Sequence, residues 1–145
     1  MKHKGGFAMI LVSACLLGEN CKYSGGHNRN EVVLAFLEGR EYIPFCPEQA
    51  GGLPTPRLPS EIRGDRVVNA EGIDVTDAFR RGADKALEIC LAHGVDLAVL
   101  KESSPSCGIH RVYDGTFSGQ KIDGMGMTAR RLRQAGIAVM SENDI

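Results

Sequence analysis

Three of the five cysteines follow short apolar segments that are far apart in the sequence. They are Cys15 after residues 7–14, Cys46 after residues 42–45, and Cys107 shortly after residues 95–100. Short apolar runs of this kind are typical of strands buried in a parallel sheet. If the three strands are parallel neighbours, their carboxyl ends meet at one edge, where open α/β sheets build their binding sites. The sequence therefore predicts that three thiols gather at one site.

Helical periodicity predicts the segments that connect these strands. Asn30 is a suitable N-cap for a helix over residues 31–38, and Thr76 is a suitable N-cap for a long helix over residues 77–93. A third helix is expected over residues 128–136. The apolar face of the long helix is predicted to consist of Phe79, Ala83, Ala86, Leu87, Cys90 and Leu91.

A fourth apolar run at residues 137–140 predicts another strand after the last helix. The alternation of strands and helices predicts an α/β protein, here a small three-layer Rossmann-like fold with a mostly parallel sheet. Long loops are expected at the carboxyl ends of the strands. The length of 145 residues and the hydrophobic content of 43% suit one core, so we expect a single domain over residues 1–145. The strand order cannot be read from the sequence.

Prolines and glycines predict where the chain leaves regular structure. Residues 47–62 hold four prolines and two adjacent glycines, which predicts a long irregular loop. A second long loop is expected over residues 109–126. Residues 67–68 and 73–75 flank a turn signal, which indicates either a small hairpin or irregular extended chain. Long ordered loops beside strand ends often form the walls of a site.

Charge and cysteine content exclude several classes of protein. Seventeen lysines and arginines balance 18 aspartates and glutamates, and no basic run is present. We therefore expect neither a polymeric nucleic acid nor a membrane as a partner, and a homodimer is left open. Five widely spaced cysteines do not form the framework of a small secreted disulfide protein, which favours a cytoplasmic location.

Three gathered thiols allow three kinds of chemistry. A zinc ion would need a fourth ligand, which Cys21 or His110 could supply, although the paired spacing typical of structural zinc sites is absent. A dithiol redox site is a second option, but the chain has no Cys-x-x-Cys turn. An iron–sulfur cluster held by three cysteines is the third option. Such a cluster leaves one iron with an open coordination position, which can act as a Lewis acid.

The chain also resembles a known family, the TudS-type thiouracil desulfurases. The resemblance extends from about residue 10 to residue 142. It is carried by six spaced motifs, which are residues 12–18 (VSACLLG), 21–25 (CKYSG), 45–48 (FCPE), 51–57 (GGLPTPR), 101–108 (KESSPSCG) and 113–117 (YDGTF).

The resemblance implies a [4Fe-4S] cluster held by Cys15, Cys46 and Cys107, with one iron not bound by protein. The implied reaction is the non-redox removal of sulfur from a thiolated pyrimidine, a small molecule, to give uracil and hydrosulfide. Glu48 is then the candidate general acid and base, and Ser104 the candidate for orienting the substrate or the water.

Cys21 belongs to the same pattern, and we expect it to have a structural role beside the cluster, because a fourth thiolate would close the open iron. Two other functions remain as alternatives. One is a non-catalytic zinc or iron–sulfur binding module, and the other is a thiol-based redox protein.

Overall fold

The computed structural model of the protein describes residues 8–145. Eight strands and four helices follow one another along this part of the chain. The strands are β1 (Ile10–Ser13), β2 (Tyr42–Phe45), β3 (Ser60–Arg63), β4 (Arg66–Asn69), β5 (Leu97–Leu100), β6 (Arg111–Tyr113), β7 (Lys121–Asp123) and β8 (Ala138–Ser141). The helices are α1 (Glu31–Leu37), α2 (Pro47–Ala50), α3 (Thr76–His93) and α4 (Met127–Gln134).

Four of the strands form one parallel sheet in the order β2-β1-β5-β8. Ile10 of β1 lies opposite Tyr42 of β2 on one side and opposite Leu97 of β5 on the other. This sheet confirms the predicted α/β class. Pro44 is tolerated within β2 because that strand lies at the sheet edge. The strand order brings the three strands that precede the site cysteines side by side.

Helices cover both faces of the parallel sheet. Side chains alternate between the two faces of a strand, so both faces present residues for a helix to pack against. One face packs against α3 and α4 through the buried residues Leu11, Ala98, Leu100, Ala86, Cys90, Ala129 and Leu132. The other face packs against α1 through the buried residues Ile10, Val12, Val99, Val33 and Leu37. Burial of one such aliphatic side chain stabilises a fold by about 1.5–3 kcal/mol. The three-layer arrangement is therefore as predicted.

The long helix α3 begins at Thr76, so Thr76 is not its N-cap as the sequence pattern suggested. The buried Thr76 hydroxyl instead accepts a hydrogen bond from the Val67 N–H at 2.8 Å and donates to the Val67 carbonyl at 3.4 Å. The Asp74 carboxylate accepts from the Thr76 N–H at 2.9 Å. The hydroxyl thus connects α3 to β4. The N-cap position is occupied by Val75, and the Asp74 carboxylate before it accepts from the first N–H of the helix.

The remaining helices and strands begin and end close to their predicted positions. Asn30 caps α1 by accepting a hydrogen bond from the Val33 N–H at 3.0 Å. Leu91 was wrongly placed on the buried face of α3, since it is 71% exposed. Successive residues of a helix are rotated by about 100°, so Leu91 points away from the side on which Cys90 is buried. Phe7, at the start of the predicted first strand, lies outside the described residues.

Two segments predicted to be irregular contain regular structure. Residues 47–62 hold α2 and β3, and residues 109–126 hold the antiparallel pair β6 and β7. Pro47 lies in the first turn of α2, where its missing N–H removes no helical hydrogen bond. The prolines of this segment therefore delimit its elements without interrupting them.

Residues 67–75, predicted to form either a small hairpin or irregular extended chain, make one antiparallel bridge between Val68 and Asp74. Two backbone hydrogen bonds flank this bridge, from the Asn69 N–H to the Ile73 carbonyl at 2.9 Å and from the Val75 N–H to the Val67 carbonyl at 2.8 Å. β4 also pairs in antiparallel fashion with β3, which precedes it.

None of the helices within residues 8–145 is both long and apolar enough to cross a lipid bilayer.

Candidate functional site

A cavity of about 490 Å³ lies at the carboxyl ends of β1, β2 and β5. Cys15, Cys46 and Cys107 all line this cavity, and so do Glu48 and Ser104. The structure thus brings together the five residues that the sequence singled out. Their assignment as ligands and catalytic groups remains a prediction. We call this cavity the thiol pocket.

Cys15 lies in a short 3₁₀ turn directly after β1. The Asn28 side-chain amide donates a hydrogen bond to the Cys15 sulfur at 3.4 Å. The Cys15 carbonyl accepts from the N–H groups of Gly18 and Asn28 at 3.2 Å and 2.9 Å. Hydrogen bonds within the turn and from Asn28 therefore hold Cys15 in the lining of the pocket.

Cys107 lies in a turn that is organised by Ser104. The Ser104 hydroxyl oxygen accepts hydrogen bonds from the N–H groups of Ser106 and Cys107, both at 3.1 Å. The Gly108 N–H donates to the Ser104 carbonyl at 2.9 Å. Because these bonds use lone pairs of the hydroxyl oxygen, the Ser104 O–H can still donate to a ligand in the pocket.

Cys21 is buried, with 4% of its surface exposed, and its thiol contacts the thiols of Cys15 and Cys46. Hydrogen bonds from Cys21 lower the pKa of Cys15, and they lower the pKa of Cys46 to about 6. The same bonds raise the pKa of Cys21. Burial raises the pKa of Cys107, although a hydrogen bond with Ser13 opposes this effect. The contacts of Cys21 therefore favour the thiolate forms of Cys15 and Cys46.

Glu48 lies in the first turn of α2, and a buried arginine holds its carboxylate. Arg57 Nε donates to Glu48 Oε1 at 2.9 Å, and the two side chains are only 7% and 15% exposed. The same guanidinium donates to the carbonyls of Cys21 at 2.9 Å and Pro54 at 3.1 Å. Arg57 thereby ties the Glu48 carboxylate to the backbone of two loops and orients it.

The helix that carries Glu48 is held in place by α3. A helix of four residues is too short to be stable alone. Gly51 and Gly82 allow the backbones of the two helices to touch, since a Cβ at Gly82 would lie 2.0 Å from the Pro47 carbonyl oxygen. Arg81 and Lys85 of α3 donate hydrogen bonds of 2.9–3.1 Å to carbonyls at the end of α2. Packing against α3 therefore sets the position of α2.

Glu102 is a structural residue of the site that the sequence did not reveal. Its carboxylate accepts hydrogen bonds from the N–H groups of Ser103, Ile109, His110 and Arg111 at 2.9–3.3 Å. Partial burial opposes ionisation, but these bonds prevail and lower the pKa of Glu102. Glu102 therefore fixes the chain on both sides of Cys107.

Two residues considered in the sequence lie outside the thiol pocket. Cys90 is buried in the core at 1% exposure, and burial raises its pKa to about 11. The His110 ring pairs with the Asp144 carboxylate at 2.9 Å, and its side chain is 56% exposed. His110 is therefore not placed to complete a zinc site with the three cysteines.

Within residues 8–145, no three His, Cys, Asp or Glu side chains are arranged to hold a metal ion. A single zinc ion requires ligand atoms at 2.0–2.3 Å from one point. A four-iron cluster is a larger body, so its thiolate ligands are held further apart around it.

The fold and the site together define an α/β protein with a cysteine-lined pocket at the carboxyl edge of a parallel sheet. Residues 10–144 match the family model described as 2-thiouracil desulfurase. The chain belongs to the 2-thiouracil desulfurase family. The family and the enzyme class predicted from the motifs are thereby confirmed.

Two known proteins are similar to almost the whole chain. The uncharacterized protein YbbK of Bacillus subtilis (strain 168) is 43% identical over 147 residues, which cover 94% of this chain and 97% of YbbK. A solved structure described as the [4Fe-4S]-dependent thiouracil desulfidase TudS is 49% identical and superposes with a TM-score of 0.88. This match covers 94% of the present chain and 92% of that structure.

Proposed function

We propose that this protein hydrolyses the carbon–sulfur bond of a thiouracil without net oxidation or reduction, using a [4Fe-4S] cluster held by Cys15, Cys46 and Cys107. The observation that carries the proposal is the convergence of three thiols, from neighbouring strand ends, on a pocket that also contains Glu48. Membership of the desulfurase family supports the substrate class. The cluster dependence of the similar TudS structure supports the cofactor.

The chemistry of the donor set fits such a cluster. Iron–sulfur clusters are held by thiolates, and the pKa values of Cys15 and Cys46 are lowered. The raised pKa of the buried Cys107 does not prevent ligation, because a coordinating thiol is deprotonated by the metal. Lys101 also lines the pocket, and its positive charge further favours the Cys15 thiolate.

When bound, the cluster would supply an iron with an open position, a Lewis acid that can polarise a thiocarbonyl group. The overall reaction adds water to the C=S carbon, forms the C=O bond and releases sulfur as hydrosulfide with one proton. No electrons are gained or lost.

The protein groups of the pocket supply the proton transfers and the orientation. Glu48 takes a proton from the attacking water as general base and returns it as general acid when the carbon–sulfur bond breaks. Arg57 keeps this carboxylate directed into the pocket. The Ser104 O–H orients the substrate or the water by donating a hydrogen bond.

The proposal also includes a cytoplasmic location and a free thiolated pyrimidine as substrate. The location rests on five cysteines, which are all unpaired in the structure. Unpaired thiols persist in reducing compartments.

The proposal is tested by anaerobic cluster reconstitution followed by measurement of hydrosulfide and uracil released from 2-thiouracil. We expect release by the parent protein. Glu48→Gln should keep the visible cluster spectrum and lose activity by about 10²- to 10⁴-fold, as is typical when a general acid–base is removed. Glu88→Gln, on the exposed side of α3, is the matched control and should be fully active.

One result would contradict the proposed function, and another would contradict only the role of Glu48. A parent protein that holds the cluster but releases no hydrosulfide from any thiouracil would exclude the function. Full activity of the Glu48→Gln variant would remove Glu48 from the mechanism and leave the function intact.

A further inference from the structure

Phe117 has a backbone conformation that is rare for a bulky residue. Its φ angle is +56°, in the left-handed region that L-residues other than glycine seldom adopt. Such a conformation costs free energy and persists only where the surroundings enforce it, and residues of this kind cluster at active sites, ligand clamps and switch regions. Phe117 lies in the loop between β6 and β7 and lines the thiol pocket.

A buried carboxylate enforces this conformation. Glu61 of β3 is 8% exposed, and its Oε1 accepts hydrogen bonds from the N–H groups of Gly115 at 2.9 Å and Phe117 at 3.1 Å. A Cβ at Gly115 would lie 2.8 Å from the Ile62 carbonyl oxygen, so the close approach of this loop to β3 requires glycine. Arg63 Nε donates to the Gly115 carbonyl at 2.7 Å. The loop therefore holds Phe117 rigidly.

The Phe117 ring is suited to stacking on a flat ligand. The Arg63 guanidinium lies 5.8 Å from the ring centroid on one face of the ring. The ring is only half-buried and lines the same pocket as the cysteines, which leaves aromatic surface for a ligand. A pyrimidine is a planar, uncharged ring, and stacking on an aromatic side chain is a common way for proteins to bind a base.

Two tyrosines also line the pocket but are less suited to this role. Tyr23 is 46% exposed and lies on a glycine-rich loop. The Tyr113 ring has the Lys121 ammonium group 5.3 Å from its centroid. Neither has the positive φ of Phe117.

We propose that Phe117 forms an aromatic stacking subsite for the pyrimidine ring of the substrate, built onto β3 by Glu61 and Gly115. This inference rests on the proposed function. It adds a binding residue on the hairpin loop to a site whose other groups come from the ends of the parallel strands.

The proposal is tested with Phe117→Leu, which keeps apolar bulk and removes the aromatic face, and with Phe117→Tyr, which keeps that face. Stacking of one base contributes about 1–3 kcal/mol, which corresponds to a factor of about 5- to 150-fold in affinity. We expect the KM for 2-thiouracil to rise by such a factor in Phe117→Leu, with a smaller change in kcat. Phe117→Tyr should stay within about threefold of the parent.

Equilibrium dialysis with uracil and with 2-thiouracil gives a readout that does not depend on turnover. The dissociation constants should change in parallel with KM. Phe36→Leu is the matched control, because Phe36 of α1 is half-buried, has the Arg40 guanidinium 4.6 Å from its ring centroid and lies outside the pocket lining. Its KM and dissociation constants should equal those of the parent.

Unchanged KM and dissociation constants in a folded Phe117→Leu variant would overturn the proposal, as would an equal loss of binding in Phe117→Tyr. Failure of the proposed function would give a different result in these assays. In that case the parent releases no hydrosulfide, while the dialysis still measures whether Phe117 contributes to pyrimidine binding.

Discussion

Replacing Gly82 with alanine would test whether the packing of α2 on α3 sets the position of Glu48. The added Cβ would lie 2.0 Å from the Pro47 carbonyl oxygen and 2.8 Å from its carbonyl carbon. Ordinary van der Waals contact begins at 3.4 Å, so the Pro47 carbonyl must retreat by about 1.4 Å. Because Pro47 lies between Cys46 and Glu48, this shift moves both site residues.

The effect on stability should be small, since two contributions oppose each other. Overpacking of this kind typically costs about 1–3 kcal/mol. Alanine in a helix interior is more favourable than glycine by about 1 kcal/mol. The expected loss in the free energy of unfolding of Gly82→Ala is therefore about 0–2 kcal/mol. Misplacement of a catalytic group by about 1 Å can reduce activity by about 100-fold.

The assay compares hydrosulfide release with urea denaturation for the parent, Gly82→Ala and a control. Gly26→Ala is the control, because its nearest neighbouring atom would be 3.5 Å from the new Cβ and its φ is not left-handed. We expect activity to fall about 100-fold in Gly82→Ala with little loss of stability. Parent-like activity in Gly82→Ala would refute the reasoning that this contact positions Glu48.

Three further substitutions test two contacts of the site and one ion pair outside it. Glu102→Gln replaces a carboxylate that accepts four backbone N–H groups, so the free energy of unfolding should fall by about 1–3 kcal/mol in chemical denaturation; an unchanged value would contradict this role. Arg57→Lys cannot reproduce the guanidinium contacts, and kcat should fall about tenfold or more, whereas a parent-like kcat would show that Glu48 needs no such support. The hydrogen bond to Asp144 raises the pKa of His110 above 6.5, so their pairing stabilises the fold below that value and is lost as pH rises through the raised pKa. His110→Ala should therefore lower the thermal midpoint at about pH 5.5 and leave it nearly unchanged at about pH 9, and equal shifts at both pH values would contradict the assignment.

The parts of the fold that local patterns determine could be predicted from the sequence. Apolar runs before Cys15, Cys46 and Cys107 identified three strands, and helical spacing identified α1 and α3. The parallel sheet followed from their alternation. The strand order could not be read, because it depends on packing between segments that are distant in the sequence.

The supporting groups of the site escaped prediction because their partners are distant along the chain. Glu61 bonds to residues 54 and 56 positions away, and the Arg57 guanidinium reaches a carbonyl 36 positions away. The sequence around a charged residue that hydrogen-bonds to distant backbone groups does not differ from the sequence around a charged residue exposed to solvent. The short helix α2 was missed for another reason, since Pro47 and Gly51 lie at its two ends and conceal it among turn residues.

The proposed function gives Cys15, Cys46 and Cys107 the same role, that of cluster ligands. One measurement on a set of matched variants tests this central claim. Each cysteine is replaced by alanine, and iron and acid-labile sulfide are determined after anaerobic reconstitution. We expect Cys15→Ala, Cys46→Ala and Cys107→Ala to lose most of the iron and the visible absorption. Cys21→Ala and Cys90→Ala should retain both. Full iron content in any of the first three variants would contradict the account, and so would loss of iron from a folded Cys21→Ala or Cys90→Ala variant.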